Sequence, residues 1–396
     1  MFSDNCLFLS GNKNFESITF PFFYRKNCDF IKALSKSLLN DINARKYPEI
    51  VKFAFWSRAA NLDKIYNSFD KNILRFGRGT CLHILPRNTS INFAYSLIFG
   101  LLSGNSNILR VPKVDSLVKI ITSKINQILS KRKFQDIKKS ICIISYDSKT
   151  NITQNISSTC DVRLLWGGDQ TISSIKKIEA QPNCIDITFP DRYSVTIINS
   201  ERVNIKNVKN LVNNFYNDSF FMDQNACSSP HLVLWYYKDK KKLYNNKNLF
   251  WNYLSNHIKK NYKPEDAILY QKYVRYCENF LNYNKMIKNS SGIFKNLYIT
   301  KLKNLNFDIT KMRGLAGTFY EYDIVNLNEI KKIMNYKLQT INYFGLNKKN
   351  FIQFFSKPIE QKGILRIVKV GKALDMSHIW DGYNIIDLMS KTIELD

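Results

Sequence analysis

The stretch INFAYSLIFGLLSGNSNILRVPKVDSLVKIITSKINQIL, residues 91–129, sets the fold class. Its first part, 91–103, is apolar at nearly every position and reads as a buried helix that Gly104 and Asn105 end. NILRV then reads as a short strand, and VDSLVKIITSKINQIL repeats its apolar residues at helical spacing. Downstream, KSICIISY (139–146) and DVRLLW (161–166) are buried strands, and a Gly167-Gly168-Asp169 turn leads into the helical TISSIKKI. Strands alternating with helices predict parallel α/β layering.

After about residue 200 the texture changes to a helix over 205–221, a strand HLVLWYY (231–237) and two long polar helices up to about residue 287. RIVKVGKALDM (366–376) is strand-like, and YNIIDLMSKTIEL (383–395) reads as a helix. The expected division is 1–200 for an amino-terminal and cofactor domain and 201–350 for a catalytic domain. Residues 351–396 are expected to pack back on the cofactor domain or form an oligomer interface.

A chain of 396 residues with 44% hydrophobic and 14% aromatic content can bury a core for two or three domains. The apolar run 91–102 falls short of the roughly 20 residues of a membrane-spanning helix, so no membrane span is expected. MFSDNCLFLSGNKN carries Asp4 where a secretion signal carries positive charge, and a cytoplasmic location is expected. The eight cysteines are dispersed with no CxxC pair, which predicts free thiols and no metal site. The formal charge of +27 is spread along the chain among Asn and Tyr, with no basic arm. It reads as a solvated surface with a general attraction for phosphorylated ligands, and no nucleic-acid partner is expected. A polyanion-binding protein remains the rival outside enzymology; it would show steep salt dependence and indifference to replacement of Cys227.

Three constellations carry possible chemistry. In FFMDQNACSSP (220–230), Cys227 stands among Ala226, Ser228 and Ser229, which leave room for a substrate and bring backbone amides close to the sulfur. A buried structural cysteine is the alternative. In HILPRNTS (83–90), Pro86 and Asn88 sit at a strand-to-helix turn. Asn88, Thr89 and Ser90 suit a cap on the helix 91–103, or the Asn88 amide serves as an oxyanion donor. In WGGDQTISSI (166–175), the paired glycines let backbone approach a phosphate at a helix amino terminus, although the GxGxxG fingerprint is missing.

In order along the chain, PRN, LLSGNSNILRVP, WGGD, DRYSVTIIN, MDQNACSSP, RGLAGTFYEYDIVNLNEI and VGKALDMSHIWDGYNIIDL resemble the LuxC-type acyl-CoA and fatty acyl reductases of bacterial luminescence. That family is similar to the aldehyde dehydrogenases. The resemblance implies a Rossmann-like cofactor domain and an α/β catalytic domain. It makes Cys227, approached through Gln224 to Ala226, the nucleophile, and Asn88 the residue that shares the oxyanion with the Cys227 N–H. It places Pro86, Arg110, Pro112, Lys113, Gly167, Gly168 and Asp169 at the cofactor.

No acidic residue matches the one that favours a ribose 2′-hydroxyl, and Arg110 and Lys113 flank Pro112, so the resemblance implies NADPH over NADH. DITFPDRYS (186–194) puts Thr188 near the position of the water-activating glutamate and Arg192 near that of a lysine. Without that base, the acyl-enzyme is expected to meet hydride before water. The same change leaves the general base unnamed: His83 and His231 lie in apolar strands, where a structural role is the ordinary one. The family implies an acyl-CoA or acyl-protein donor and an acyl-protein synthetase partner, with residues 236–312 shaping the acyl pocket. A cysteine-dependent acyltransferase or thioesterase without redox chemistry is the rival enzyme, and a catalytically degenerate subunit the third reading.

Overall fold

The computed structural model describes residues 6–294, 297–356 and 363–394. The chain divides into two compact units, Met1–Asp191 with Met376–Asp396, and Arg192–Asp375.

The first unit carries strands β1 (Leu7–Gly11), β2 (Leu74–Gly77), β3 (Thr80–Ile84), β4 (Ser106–Arg110), β5 (Ile141–Ser145), β6 (Val162–Trp166) and β7 (Ile185–Phe189). Its main sheet has the order β1-β5-β4-β3-β6-β7, parallel except for β1 against β5. The order reverses at β3, with β4 and β5 on one side and β6 and β7 on the other. In such a sheet the carboxyl ends of the strands at the reversal flank a ligand crevice. Every residue of β3 and β6 is buried, as in parallel strands covered on both faces.

The helix Asn92–Leu102 is buried at every position but Asn92. Gly100 lets it press on β4, because a Cβ there would come within 1.7 Å of Asn107 Oδ1. The helix Ser116–Leu129 starts where the Asp115 side chain accepts from the Val118 N–H, and it buries Leu117, Val118, Ile121, Ile125 and Ile128 along one face.

The helix expected over 383–395 is not formed, and its last residue, Leu395, lies outside the described residues. Instead a bridge strand Tyr383–Asn384, a short helix Ile385–Leu388 capped by Asn384, and a strand Ser390–Ile393 follow one another. The last strand pairs antiparallel with β2, some 300 residues earlier in sequence, and Asn105 Nδ2 donates to Met389 O at 2.8 Å. That pairing and the β-branched Thr392 and Ile393 outweigh the helical periodicity.

The second unit carries β8 (Tyr193–Asn199), β9 (Pro230–Tyr236), β10 (Ile287–Phe294), β11 (Leu297–Leu302), β12 (Thr318–Ile324), β13 (Leu338–Phe344) and β14 (Arg366–Lys369). The sheet order is β10-β11-β12-β9-β8-β13-β14, parallel except for β10 against β11. Alternate side chains of the central strands feed two cores. Ile198, Val233, Trp235 and Phe319 pack with the helices Val208–Ser219 and Lys240–Asn261. Ile197, Leu232, Leu234 and Tyr320 pack on the other face with Ile330, Phe351 and Phe354. The buried Glu321 carboxylate in the first of these layers accepts from Trp235 Nε1 and Trp251 Nε1, both at 3.0 Å, and pairs with Lys247 Nζ at 2.9 Å. A buried charge held this way is compensated.

The boundary expected after residue 200 therefore falls between Asp191 and Arg192, and the stretch 351–396 is divided between the units. A buried parallel strand such as Tyr193–Asn199 announces itself in sequence but not which sheet receives it; its partners here are β9 and β13. Among the described residues no helix is long and apolar enough to cross a membrane.

Candidate active site

In the first unit the residues proposed to hold a cofactor gather at the carboxyl ends of three adjacent strands. Leu85 to Asn88 follow β3, Arg110 ends β4 and leads to Pro112 and Lys113, and Gly167 follows β6. Arg110 is half-buried. Its Nη2 donates to Tyr146 O at 3.3 Å and its guanidinium lies 5.4 Å from the Tyr146 ring centroid. Its Nε is buried without a hydrogen-bond partner, and burial holds its pKa below the ordinary value. Lys113 is exposed.

Gly167 and Gly168 join β6 to the helix Asp169–Lys176, which no side chain caps. Neither glycine has a positive φ. A Cβ on Gly168 would meet nothing within 4 Å, and one on Gly167 would make only ordinary contact with Thr171. The fold itself requires glycine at neither position, unlike Gly100, and the turn is open to solvent. Trp166, which sequence reasoning left out, borders the turn: it stacks on Phe189 at 3.9 Å and its buried Nε1 has no hydrogen-bond partner.

Asn88 does not cap the helix that follows. That helix begins at Asn92, its cap position is Ile91, and no side chain makes a cap hydrogen bond. Ser90 instead donates to Asp115 Oδ2 at 2.5 Å, tying the loop after β3 to the loop after β4. Asn88 is exposed on that loop. His83 is fully buried between Ser96 Oγ (2.7 Å) and Asn107 Oδ1 (3.0 Å). Burial pushes its pKa down to about 4, so it is a neutral core residue.

In the second unit, Cys227 lies in the connection between the helix Val208–Ser219 and β9, half-buried. Asp223 and Gln224 both take left-handed backbone conformations, with φ of 50° and 63°. Gln224, 1% exposed, staples this turn: its Nε2 donates to Pro230 O at 2.8 Å and Thr318 O at 3.0 Å, and its Oε1 accepts from Gly317 N at 3.1 Å. The Tyr262 hydroxyl donates to Asp223 Oδ1 at 2.5 Å; burial raises that carboxyl's pKa, and the Tyr262 bond opposes the rise. Ser194 Oγ donates to the Cys227 carbonyl at 2.7 Å.

On the far side, Ser229 Oγ donates to Asp218 O at 2.7 Å. The buried Asp218 carboxylate accepts from Gly371 N at 2.6 Å and Ala373 N at 2.9 Å. The VGKA segment is thus tied to the helix that leads into the cysteine loop. Sequence reasoning quoted Gln224 without a role and gave none to Asp218, Tyr262 or Ser194; their partners lie too far along the chain for spacing to signal.

His231 is buried, and its Nδ1 accepts from Gly314 N at 3.2 Å. Burial, then the charges of Arg313 and Arg275, hold its pKa well below the ordinary value, so it is neutral and structural like His83. Thr188 lies in β7 in the first unit, whereas Arg192 opens the second, where its guanidinium donates to Tyr336 O and its carbonyl accepts from Arg313 Nη2 at 2.6 Å. Neither position offers a carboxylate. Among the described residues no group of three or more His, Cys, Asp and Glu is placed to hold a metal ion.

A family model described as acyl-CoA reductase (LuxC) matches residues 31–391. Long-chain acyl-protein thioester reductase 2 of Photobacterium leiognathi is 26% identical over 155 residues, 38% of this chain and 31% of that protein. Long-chain acyl-protein thioester reductase of Aliivibrio fischeri is 24% identical over 171 residues, 43% of this chain and 34% of that protein. The matches span about a third of the length of these relatives. Among solved structures, aldehyde dehydrogenase 21 from Physcomitrella patens superposes with a TM-score of 0.63 at 9% identity, over 93% of this chain and 85% of that one. The α/β, aldehyde dehydrogenase-like fold is therefore as the sequence implied. The acyl-CoA reductase family implies a nicotinamide cofactor, and the first unit's strand ends offer features that fit one: an open glycine turn at a helix start and a guanidinium with a buried, unpaired N–H.

Proposed function

Because the chain belongs to the acyl-CoA reductase (LuxC) family, we propose that it reduces an acyl thioester to an aldehyde through an acyl group carried on Cys227. The observation that carries this reading is the cysteine loop. A half-buried thiol sits on a backbone pinned by Gln224 and Ser194, and both candidate histidines are neutral core residues; the resemblance puts Thr188 near the position of a water-activating carboxylate.

The Cys227 thiolate attacks the carbonyl carbon of the donor, the donor's C–S bond breaks, and the donor leaves as a thiolate that takes its proton from solvent. The resemblance gives the Cys227 N–H and the Asn88 amide the part of donors to the developing oxyanion. A nicotinamide cofactor, when bound, supplies the hydride that converts the acyl group to the aldehyde level. Cys227 Sγ holds the resulting thiohemiacetal until the aldehyde departs and the thiol is restored. The family's water-activating glutamate has no match in DITFPDRYS, and a thioester without such a base lasts longer towards water.

Pro86, Arg110, Pro112, Lys113, Gly167, Gly168 and Asp169 would hold the cofactor. Arg110 and Lys113, both cationic and at the end of one strand, favour the 2′-phosphate of NADPH over NADH. The relatives are named for long-chain acyl-protein thioesters, and a long-chain acyl donor on coenzyme A or on an acyl-protein synthetase fits this reading, as does a cytoplasmic location.

The test is loss of the reduced-nicotinamide absorbance band on mixing the protein with acyl-CoA thioesters of graded length and NADPH or NADH, beside Cys227→Ala. Acyl-dependent oxidation of the cofactor that vanishes in the variant supports the proposal. Release of thiol with no cofactor oxidised would make the protein an acyltransferase or thioesterase instead.

A further inference from the structure

Three cysteines gather where the chain enters adjacent strands of the first unit: Cys81 at the start of β3, Cys160 just before β6 and Cys184 just before β7. Cys160 Sγ and Cys184 Sγ are 3.9 Å apart and hydrogen-bonded. The pairing of Val162 with Ile185, and a bond from Ile185 N to Asp161 O at 3.1 Å, fix the two backbones side by side. Cys160 is fully buried and also donates to Ser157 O at 3.5 Å, whereas Cys184 is half-buried.

The two thiols differ in character. Contact with the Cys160 sulfur lowers the Cys184 thiol from its ordinary pKa, with burial opposing and the Arg163 guanidinium assisting. The same contact, with burial, raises Cys160. One sulfur is half-buried and reachable and the other is fully buried at its side, which is the arrangement of an entry and a resolving cysteine.

We propose that Cys160 and Cys184 form a redox-active pair whose disulfide closes a ring around the turn assigned to the cofactor. The two residues are 24 positions apart, so the ring holds β6, Gly167, Gly168 and the helix Asp169–Lys176. The oxidant is a low-molecular-weight disulfide. The Cys184 thiolate attacks one of its sulfurs, a mixed disulfide forms, and one small thiolate leaves. Cys160, as its proton departs, attacks the Cys184 sulfur and expels the second small thiol. The two protein thiols are oxidised by two electrons, and the small disulfide is reduced to two thiols that take up the two protons. The pairing is independent of the activity proposed above; only its effect on cofactor binding rests on that reading.

The test uses the full chain under native conditions in graded ratios of oxidised to reduced glutathione, quenched by alkylation and mapped by peptide mass spectrometry. The expected result is a 160–184 cross-linked peptide free of glutathione, rising in a single two-electron transition. Cys160→Ala should retain glutathione on Cys184, and Cys184→Ala should give neither product. Stable glutathione on Cys184 of the unsubstituted chain, a cross-link to Cys81, or reaction of the pair only after denaturation overturns the proposal. NADPH affinity should differ between the oxidised and reduced forms; equal affinity overturns the regulatory part.

Discussion

Replacing Gln224 by alanine removes three hydrogen bonds at one stroke, to Pro230 O (2.8 Å), Thr318 O (3.0 Å) and Gly317 N (3.1 Å). A neutral hydrogen bond contributes about 0.5–1.5 kcal/mol net, and each buried group left without a partner costs about 1–3 kcal/mol. With the site 1% exposed, little water reaches the orphaned groups, and the expected loss is about 3–5 kcal/mol. For a unit of this size that corresponds to a fall in Tm of roughly 10 °C.

The local effect is the larger one. Asp223 and Gln224 hold left-handed φ values of 50° and 63° against their own steric preference, and without the staple the Cys227 backbone relaxes. A displacement of about 1 Å at a reacting group costs about 100-fold in rate. Gln224→Ala is therefore expected to fold, to melt about 10 °C lower, and to acylate Cys227 about 100-fold more slowly in a single turnover well below its melting point. Gln224→Glu keeps the acceptor for Gly317 but turns a carboxylate oxygen towards two carbonyls; it should be no better than alanine at neutral pH and recover on acidification. A Gln224→Ala protein with the parent's melting temperature and acylation rate would refute the staple.

Other expectations follow from single positions. Gly168→Ala meets no atom of the chain within 4 Å, so it should keep or raise stability by up to about 1 kcal/mol while weakening NADPH binding in a fluorescence titration. Gly100→Ala, with Asn107 Oδ1 at 1.7 Å from the new methyl, should destabilise instead. His83 falls from an ordinary 6.5 to about 4 on folding. The imidazole is neutral in both states above 6.5, and between 6.5 and about 4 only the unfolded chain takes the proton. Stability should therefore decline as pH drops through that window, by about 1.4 kcal/mol per unit and about 3 kcal/mol in all; urea titrations across it should show a shallower decline in His83→Gln. Lys113→Ala, at an exposed position, should raise the KM for NADPH roughly 5–10-fold and leave that for NADH unchanged; an equal rise for both would remove the 2′-phosphate assignment.

The alternation from Asn92 to Trp166 was legible because buried parallel strands and the amphipathic helix Ser116–Leu129 write their periods directly into sequence. Cys227 stands out as a candidate for a similarly local reason, its small neighbours Ala226, Ser228 and Ser229. What escaped depends on distant partners. The carboxyl-terminal segment is strand where it meets β2, and nothing within 383–394 announces that pairing. Gln224 reaches residues more than 90 positions away, and Asp218 residues more than 150 away. Asn88 looked like a cap because Asn-Thr-Ser precedes an apolar run, yet the helix starts later and Ser90 is engaged by Asp115.

The most direct test of the central claim is to mix the protein with a long-chain acyl-CoA without cofactor and map the acyl group by peptide mass spectrometry. The account predicts one adduct, on Cys227, labile to hydroxylamine as a thioester is, slow to hydrolyse, and discharged as aldehyde when NADPH is added. An acyl group on another residue, or one lost to water as the free acid at the same rate with and without NADPH, would contradict it.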